Sequence, residues 1–222
     1  MNADTLATHL NRNKYGRFVL TDAVRPGPLL PIKPRQGYRT TVYRDREAGL
    51  RLPMLSAAVS AEHLFEVFTE LLPALGETVN VVLESSHGRD ADDHIDYRRP
   101  DIDLPILLSH LYEFENLLMN DGCTGVAVLS RTKQMEVQFD EHKLLHIYAP
   151  SLKPFRRVLR RYGIRKRMHL SLLSEGEHLH HTTDECEEQF LRFCTTVGVC
   201  DFEEAERERD FDTGDYDNSQ WD

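Results

Sequence analysis

The sequence predicts an α+β fold, a mixed sheet with helices mainly on one face, and three observations carry that expectation. Segments with alternating or short continuous apolar patterns, residues 39–45, 51–60, 78–86 and 125–131, read as strands. Longer segments between them repeat apolar residues at three- and four-residue spacing and read as helices. The order strand, strand, helix, strand recurs in residues 39–88 and 125–178, and a helix follows each, which is compatible with a duplicated strand-strand-helix-strand-helix unit. Hairpin strands pair antiparallel, whereas a strand-helix-strand crossover calls for parallel pairing, so both kinds are expected in one sheet.

The elements follow in order. Residues 1–38 carry Pro26, Pro28, Pro31 and Pro34, which forbid helix, and read as an extended arm. Residues 39–45 and 51–60 make a hairpin. Ser60 is placed to cap a helix bearing Leu64, Phe68, Leu71 and Leu75, which Gly76 ends. The near-continuous apolar run 78–86 reads as a central strand, and the polar residues 87–100 as a long surface loop. Asp103 opens a second helix along Leu107, Leu111, Phe114 and Leu118. Residues 125–131 and 134–149 follow as a hairpin with a second extended segment, in which a turn near residues 140–143 would give two short strands. Ser151 opens a third helix with Phe155, Val158, Leu159 and Tyr162 inward, and residues 168–174 make its following strand. Thr182 or Thr183 caps a fourth helix with Cys186, Phe190, Phe193, Cys194 and Val197 on its apolar side. Residues 39–200 thus form a single domain of pseudo-repeats 39–122 and 123–200, followed by an acidic tail, residues 201–222, expected to be disordered.

Composition excludes several classes. The 222 residues are 40% hydrophobic, no run approaches the ~20 apolar residues of a membrane span, and the first residues lack a signal-peptide core. A cytoplasmic protein without membrane contact is expected, and the oligomeric state is open. The four cysteines form no zinc-type spacing and read as reduced packing thiols. The net charge is −10, of which residues 201–222 contribute −8 from ten acids and two arginines.

Charge clusters most strongly at Lys153, Arg156, Arg157, Arg160, Arg161, Arg165, Lys166 and Arg167, eight of the chain's 27 basic residues with no acid among them. Arginine forks match carboxylate and phosphate geometry, so these residues are the candidate contact surface for an anionic partner, a protein rather than nucleic acid given the acidic whole. His178 and His180 would share one side of a strand, and His181 or Asp184 could complete a ligand set with them, yet no recognised metal spacing occurs and no metal or cofactor is assigned. The loop with His87 and residues 90–96 is the companion polar segment. Residues 169–172, His-Leu-Ser-Leu, resemble one of the two motifs of two-histidine phosphoesterases; the aligned positions 80–83 read Asn-Val-Val-Leu, so the second histidine is missing and the family is not assigned.

These features support first a binding or regulatory module that uses the basic helix as its contact surface. The rival is a phosphoesterase or metal-dependent hydrolase using His169 and Ser171 or the histidines near His178. A third reading is a structural protein whose basic helix docks the acidic tail. An enzymatic role is the less favoured of these, and no catalytic residue is assigned.

Overall fold

The computed structural model describes residues 11–27, 32–46, 49–87 and 94–201, with Cys200 and Asp201 as backbone alone. The arm supplies β1 (Lys14–Tyr15), β2 (Phe18–Val19) and β3 (Val24–Pro26). The body begins with β4 (Gly37–Asp45), β5 (Leu50–Ala58), α1 (Ala61–Leu71), β6 (Thr78–Ser85) and β7 (Ile95–Asp103). A broken helix follows as α2 (Leu104–Glu113) and α3 (Glu115–Asn120), then β8 (Thr124–Ser130), β9 (Glu136–Phe139) and β10 (Leu144–Tyr148). The chain closes with α4 (Lys153–Arg161), β11 (His178–His180), α5 (Asp184–Val197) and β12 (Cys200–Asp201).

The fold is α+β, built on an eight-stranded sheet in the order β12-β7-β6-β8-β9-β10-β5-β4. The expected parallel ladders are absent: every pairing between these strands is antiparallel. The crossovers do return strands in the same direction, but not side by side. β8, β9 and β10 lie between β5 and β6, and β6 lies between β7 and β8. A parallel bridge, Tyr38 to Lys166, ties the turn after α4 to the edge strand β4.

Alternate residues of the strands fill one core. Leu55 and Ala57, Val81 and Leu83, Val126 and Val128, Val137 and Phe139, Leu145 and Ile147 pack with the apolar sides of all five helices. The opposite face is crossed by the row Arg39, Ser56, His146, Gln138, Ala127, Val82 and Arg98.

Four further expectations change. Residues 168–174 form no strand, so the second pseudo-repeat lacks its third strand. Leu170 and Leu172 are buried, but in a loop against Phe18, Ala58 and Leu144, while Met168 is 84% exposed. The polar segment expected to be a loop through residue 100 contains β7, whose register is set by β6 and whose other neighbour is only the two-residue β12. Ser60 stands at the start of α1 without capping it: its hydroxyl donates to Glu62 and accepts from the Val19 amide at 3.0 Å. Ser151 likewise yields the N-terminal position of α4 to Leu152. Thr183 does cap α5, accepting from the Cys186 amide at 3.3 Å. The arm lies across the body, with Phe18 in the cluster of Ala58 and Leu144 and Val24 against Leu173.

The open face carries Glu84, whose carboxyl is pushed up to about 7 by burial first, then by Asp96, Asp140, Glu136 and Glu141. A raised acid keeps its proton longer in the folded than in the unfolded chain, so it takes stability away as pH rises from the ordinary carboxylate range through 7. Glu84→Gln is expected to gain about 1 kcal/mol at pH 8, solvent screening of a partly buried group included, and nothing at pH 4. Denaturant unfolding of both proteins at the two pH values measures it; equal midpoints at pH 8 would refute the assignment.

Candidate metal centre

One end of the sheet gathers the polar chemistry. There β6 ends at Ser85, β8 begins at Thr124 opposite it, and β9 and β10 are joined by residues 140–143. This four-residue turn closes with Asp140 Oδ1 accepting from the Leu144 amide at 2.7 Å, and Lys143 takes the left-handed conformation at φ 61°. β11 arrives from the other side, paired to the arm through His178 opposite Pro26 and His180 opposite Val24. Its two-residue alternation sets both imidazoles on one side, as the sequence suggested.

His142, His178 and His180 converge, one nitrogen of each lying within 4.8 Å of the others. The second atoms of the rings define their protonation. His178 Nδ1 lies 2.7 Å from the Gly176 carbonyl oxygen, His180 Nδ1 donates to the Gly122 carbonyl, and His142 Nδ1 lies 3.2 Å from Asp140 Oδ2. Carbonyl and carboxylate oxygens accept, so each Nδ1 carries a hydrogen and each Nε2 is left to bind. His142 Nε2 and His178 Nε2 stand 3.0 Å apart. Two lone pairs repel at that distance unless a proton is shared or a cation lies between them. Ligand bonds of ~2.0–2.1 Å in a tetrahedral centre separate nitrogens by about 3.4 Å, a shift of tenths of an ångström from the observed pair.

Asp140 is the support behind these rings. Besides His142 it accepts from His146 Nε2 at 3.1 Å, and His146 Nδ1 in turn accepts from Ser56 at 3.0 Å. The contacts follow a serine-histidine-aspartate order, but Ser56 is 4% exposed in mid-sheet, so it is a strut rather than a nucleophile. Burial pushes the Asp140 carboxyl up, and the hydrogen bonds and charges of His142 and His146 more than reverse this, leaving it well below the carboxylate range. For His142, burial disfavours the charged ring, yet Asp140 and Glu141 raise its pKa overall. His180 shifts the other way, lowered by burial and by its two histidine neighbours.

A second cluster adjoins the first. Asp121, fully buried, lies 3.0 Å from His87 Nε2 and accepts from the Thr124 hydroxyl, from the Cys123 amide at 3.3 Å and from Thr182. His87 Nδ1 meets Ser85 at 2.8 Å. Glu141 accepts from Ser86 at 2.7 Å, and buried Lys143 donates to the Thr124 carbonyl at 2.8 Å. Burial lowers the Lys143 pKa to about 8 against the pull of Asp121, Asp140 and Glu141. Although His87, Asp121 and Cys123 also lie within ligand distance, both Asp121 oxygens are already engaged by protein donors and burial raises the Cys123 thiol, so this cluster reads as a structural network.

The sequence candidates divide. His178 and His180 enter the centre with His142, not with His181 or Asp184, which are exposed beyond β11. His87 and Thr182 meet on Asp121, so the two polar segments flagged in the sequence do share one site, while residues 88–93 lie outside the described residues. His169 and Ser171 border a separate basic cleft. On the basic helix, Arg161 pairs with Glu70, and the Tyr162 hydroxyl donates to the same carboxylate at 2.8 Å. Arg156 is half-buried with an unpartnered Nε, and Lys153, Arg157, Arg160, Arg165, Lys166 and Arg167 are exposed. No helix among the described residues is long and apolar enough to cross a membrane. Comparison with known family models, with curated proteins and with solved structures finds no match to this chain.

Proposed function

We propose that this protein is a metal-dependent hydrolase whose centre is His142, His178 and His180. The observation that carries the reading is the tie of each Nδ1 to a protein oxygen, which leaves Nε2 of each ring to bind in a cluster whose nitrogens lie within 4.8 Å of one another. Three neutral imidazoles suit zinc-class divalent metals, and a three-ligand set leaves the fourth position for water. A metal held by these three histidines would supply Lewis-acid activation of water near neutral pH. Asp140 holds the His142 ring and strengthens it as a donor, the supporting role that carboxylates have behind ligand histidines. Glu141, close enough to act electrostatically on both His142 and His180, is the nearby carboxylate for proton transfer. His180 borders a cleft of about 620 Å³ shared with Asp22, Arg25 and Leu179. The unbridged thiols Cys123, Cys186 and Cys194 favour a reducing compartment such as the cytoplasm.

The 222-residue chain, equilibrated with zinc and freed of excess, is expected to retain one equivalent and to cleave an activated ester or phosphodiester. The His178→Ala/His180→Ala double variant is expected to lose both. Cobalt substitution adds the absorption of a tetrahedral centre. Failure of the wild-type chain to retain metal would leave the 3.0 Å contact as a proton shared between His142 and His178 and end the hydrolase reading.

A second reading, a module contacting an anionic partner through residues 153–167, is supported by six exposed cations there, Arg161 aside, that have no ion-pair partner among the described residues. The acidic segment proposed to dock on them, beyond Asp201, lies outside the described residues.

A further inference from the structure

We infer that the N-terminal arm and the turn after α4 together form a site for a compact ligand bearing two linked phosphate groups. The inference rests on the anionic-partner reading, but moves its footprint from the helix to the turn and names the ligand chemistry.

Two adjoining clefts lie between arm and turn. One, of about 430 Å³, is lined by Tyr15, Arg17, Arg35, Gln36, Arg165 and Arg167 among others. The other, of about 600 Å³, includes Lys33, Arg35, Lys166, Arg167, His169 and Ser171. Neither contains an aspartate or glutamate. Both sizes fall in the range of small-ligand sites rather than of a track for an extended polymer. Arg35 and Arg167 belong to both, so two anionic groups, one in each cleft, would share these guanidinium forks between them. A diphosphate has that form.

The walls are held in place before any ligand arrives. Arg167 Nε donates to the Gln36 carbonyl at 2.9 Å, and the Arg167 amide donates to the Tyr38 carbonyl at 2.8 Å. The Tyr38 amide returns a bond to the Arg165 carbonyl at 3.1 Å, which fixes the turn along the start of β4. Gly37 permits the close approach: a side chain there would begin 2.8 Å from Arg167 Cδ. In the first cleft the Tyr15 hydroxyl is buried without a hydrogen-bond partner, an unmet donor that a phosphate oxygen would satisfy. Cations assembled this way repel one another, and among the described residues no carboxylate pairs with Arg17, Arg35, Arg165, Lys166 or Arg167 to offset it.

The test is calorimetric titration of the full chain with pyrophosphate, beside a single-stranded oligonucleotide as the polymeric probe. Pyrophosphate is expected to bind at one site, and Arg35→Gln and Arg167→Gln each to weaken it about tenfold or more. The triple variant Lys153→Gln/Arg157→Gln/Arg160→Gln on the outer face of α4 is expected to stay within about twofold. Unchanged melting temperatures show that the cleft variants remain folded. The compact site is overturned if the helix variant loses as much as Arg35→Gln, or if the oligonucleotide binds and pyrophosphate does not; the broader anionic-partner reading survives both results. Absence of binding by either probe removes the compact site.

Discussion

Asp121→Ala is expected to destabilise the protein by about 3–5 kcal/mol, the scale set by breaking a buried, hydrogen-bonded charge from one side. The residue is fully buried and joins three segments: its own, through the Cys123 amide and Thr124 at the start of β8, His87 after β6, and Thr182 before α5. Alanine leaves these donors without an acceptor, each a desolvation cost of its own. The ionisation adds a pH signature. Burial works to raise the carboxyl, but His87, Thr124 and Thr182 hold it at about 2, below the ordinary 3.8. A depressed acid contributes stability above its unfolded value and loses it as pH falls through its folded value. About 2 kcal/mol should therefore vanish from the wild type between pH 4 and pH 2 and be missing from Asp121→Ala throughout. Urea unfolding of both proteins across that range reads the difference. A variant with the wild-type midpoint at pH 7 would show that Asp121 is not the keystone of the network.

The elements that sequence resolved are those with an internal signal. Phe155, Val158, Leu159 and Tyr162 repeat at helical spacing, and Cys186, Phe190, Phe193, Cys194 and Val197 do the same, so α4 and α5 are visible without partners. β7 has no such signal. Its residues alternate weakly because its outer neighbour is short and its neighbouring surface is solvent, and its place is dictated by the pairing of Val82 with Arg98 and Leu83 with Tyr97. Residues 168–174 err in the opposite sense. Leu170 and Leu172 alternate as a strand would, yet they bury into a hollow left by Phe18 on the arm, a contact that no local pattern encodes.

The candidate centre shows the same division between local and long-range information. His178 and His180 are two apart on a strand, and that spacing was legible. His142 is not, because it lies 36 residues earlier in a turn and reaches them only through the order of β9 and β10 in the sheet. The nearest sequence signal is the run Asp140, Glu141, His142, Lys143, where an aspartate that favours turns precedes a histidine at a strand end. Arg17 and Arg35 escape for a like reason: they are scattered in the arm, and only its docking sets them beside Arg165 and Arg167.

That dependence on the arm gives the second large effect. Gly122→Ala is expected to lower stability by about 1–3 kcal/mol and to weaken metal retention by about 10–100-fold, although Gly122 is no ligand. Gly122 sits where three segments touch through their backbones: its amide donates to the His181 carbonyl at 2.7 Å, the His181 amide donates to Ala23 at 2.7 Å, and its own carbonyl accepts from His180 Nδ1. A side chain at this position would meet the Ala23 carbonyl and lie 2.9 Å from the His181 nitrogen. Those atoms are backbone, so relief requires β11 or the arm to move rather than a side chain to turn. Movement of β11 displaces His178 and His180 together and loosens the bond that fixes the His180 ring. Zinc competition with a chelator, alongside thermal unfolding, separates the two consequences. Lower melting temperature with unchanged zinc affinity would show that the Gly122 carbonyl does not position His180, whereas loss of both, with stability restored by excess zinc, is the result expected of a shared hinge between arm, strand and metal.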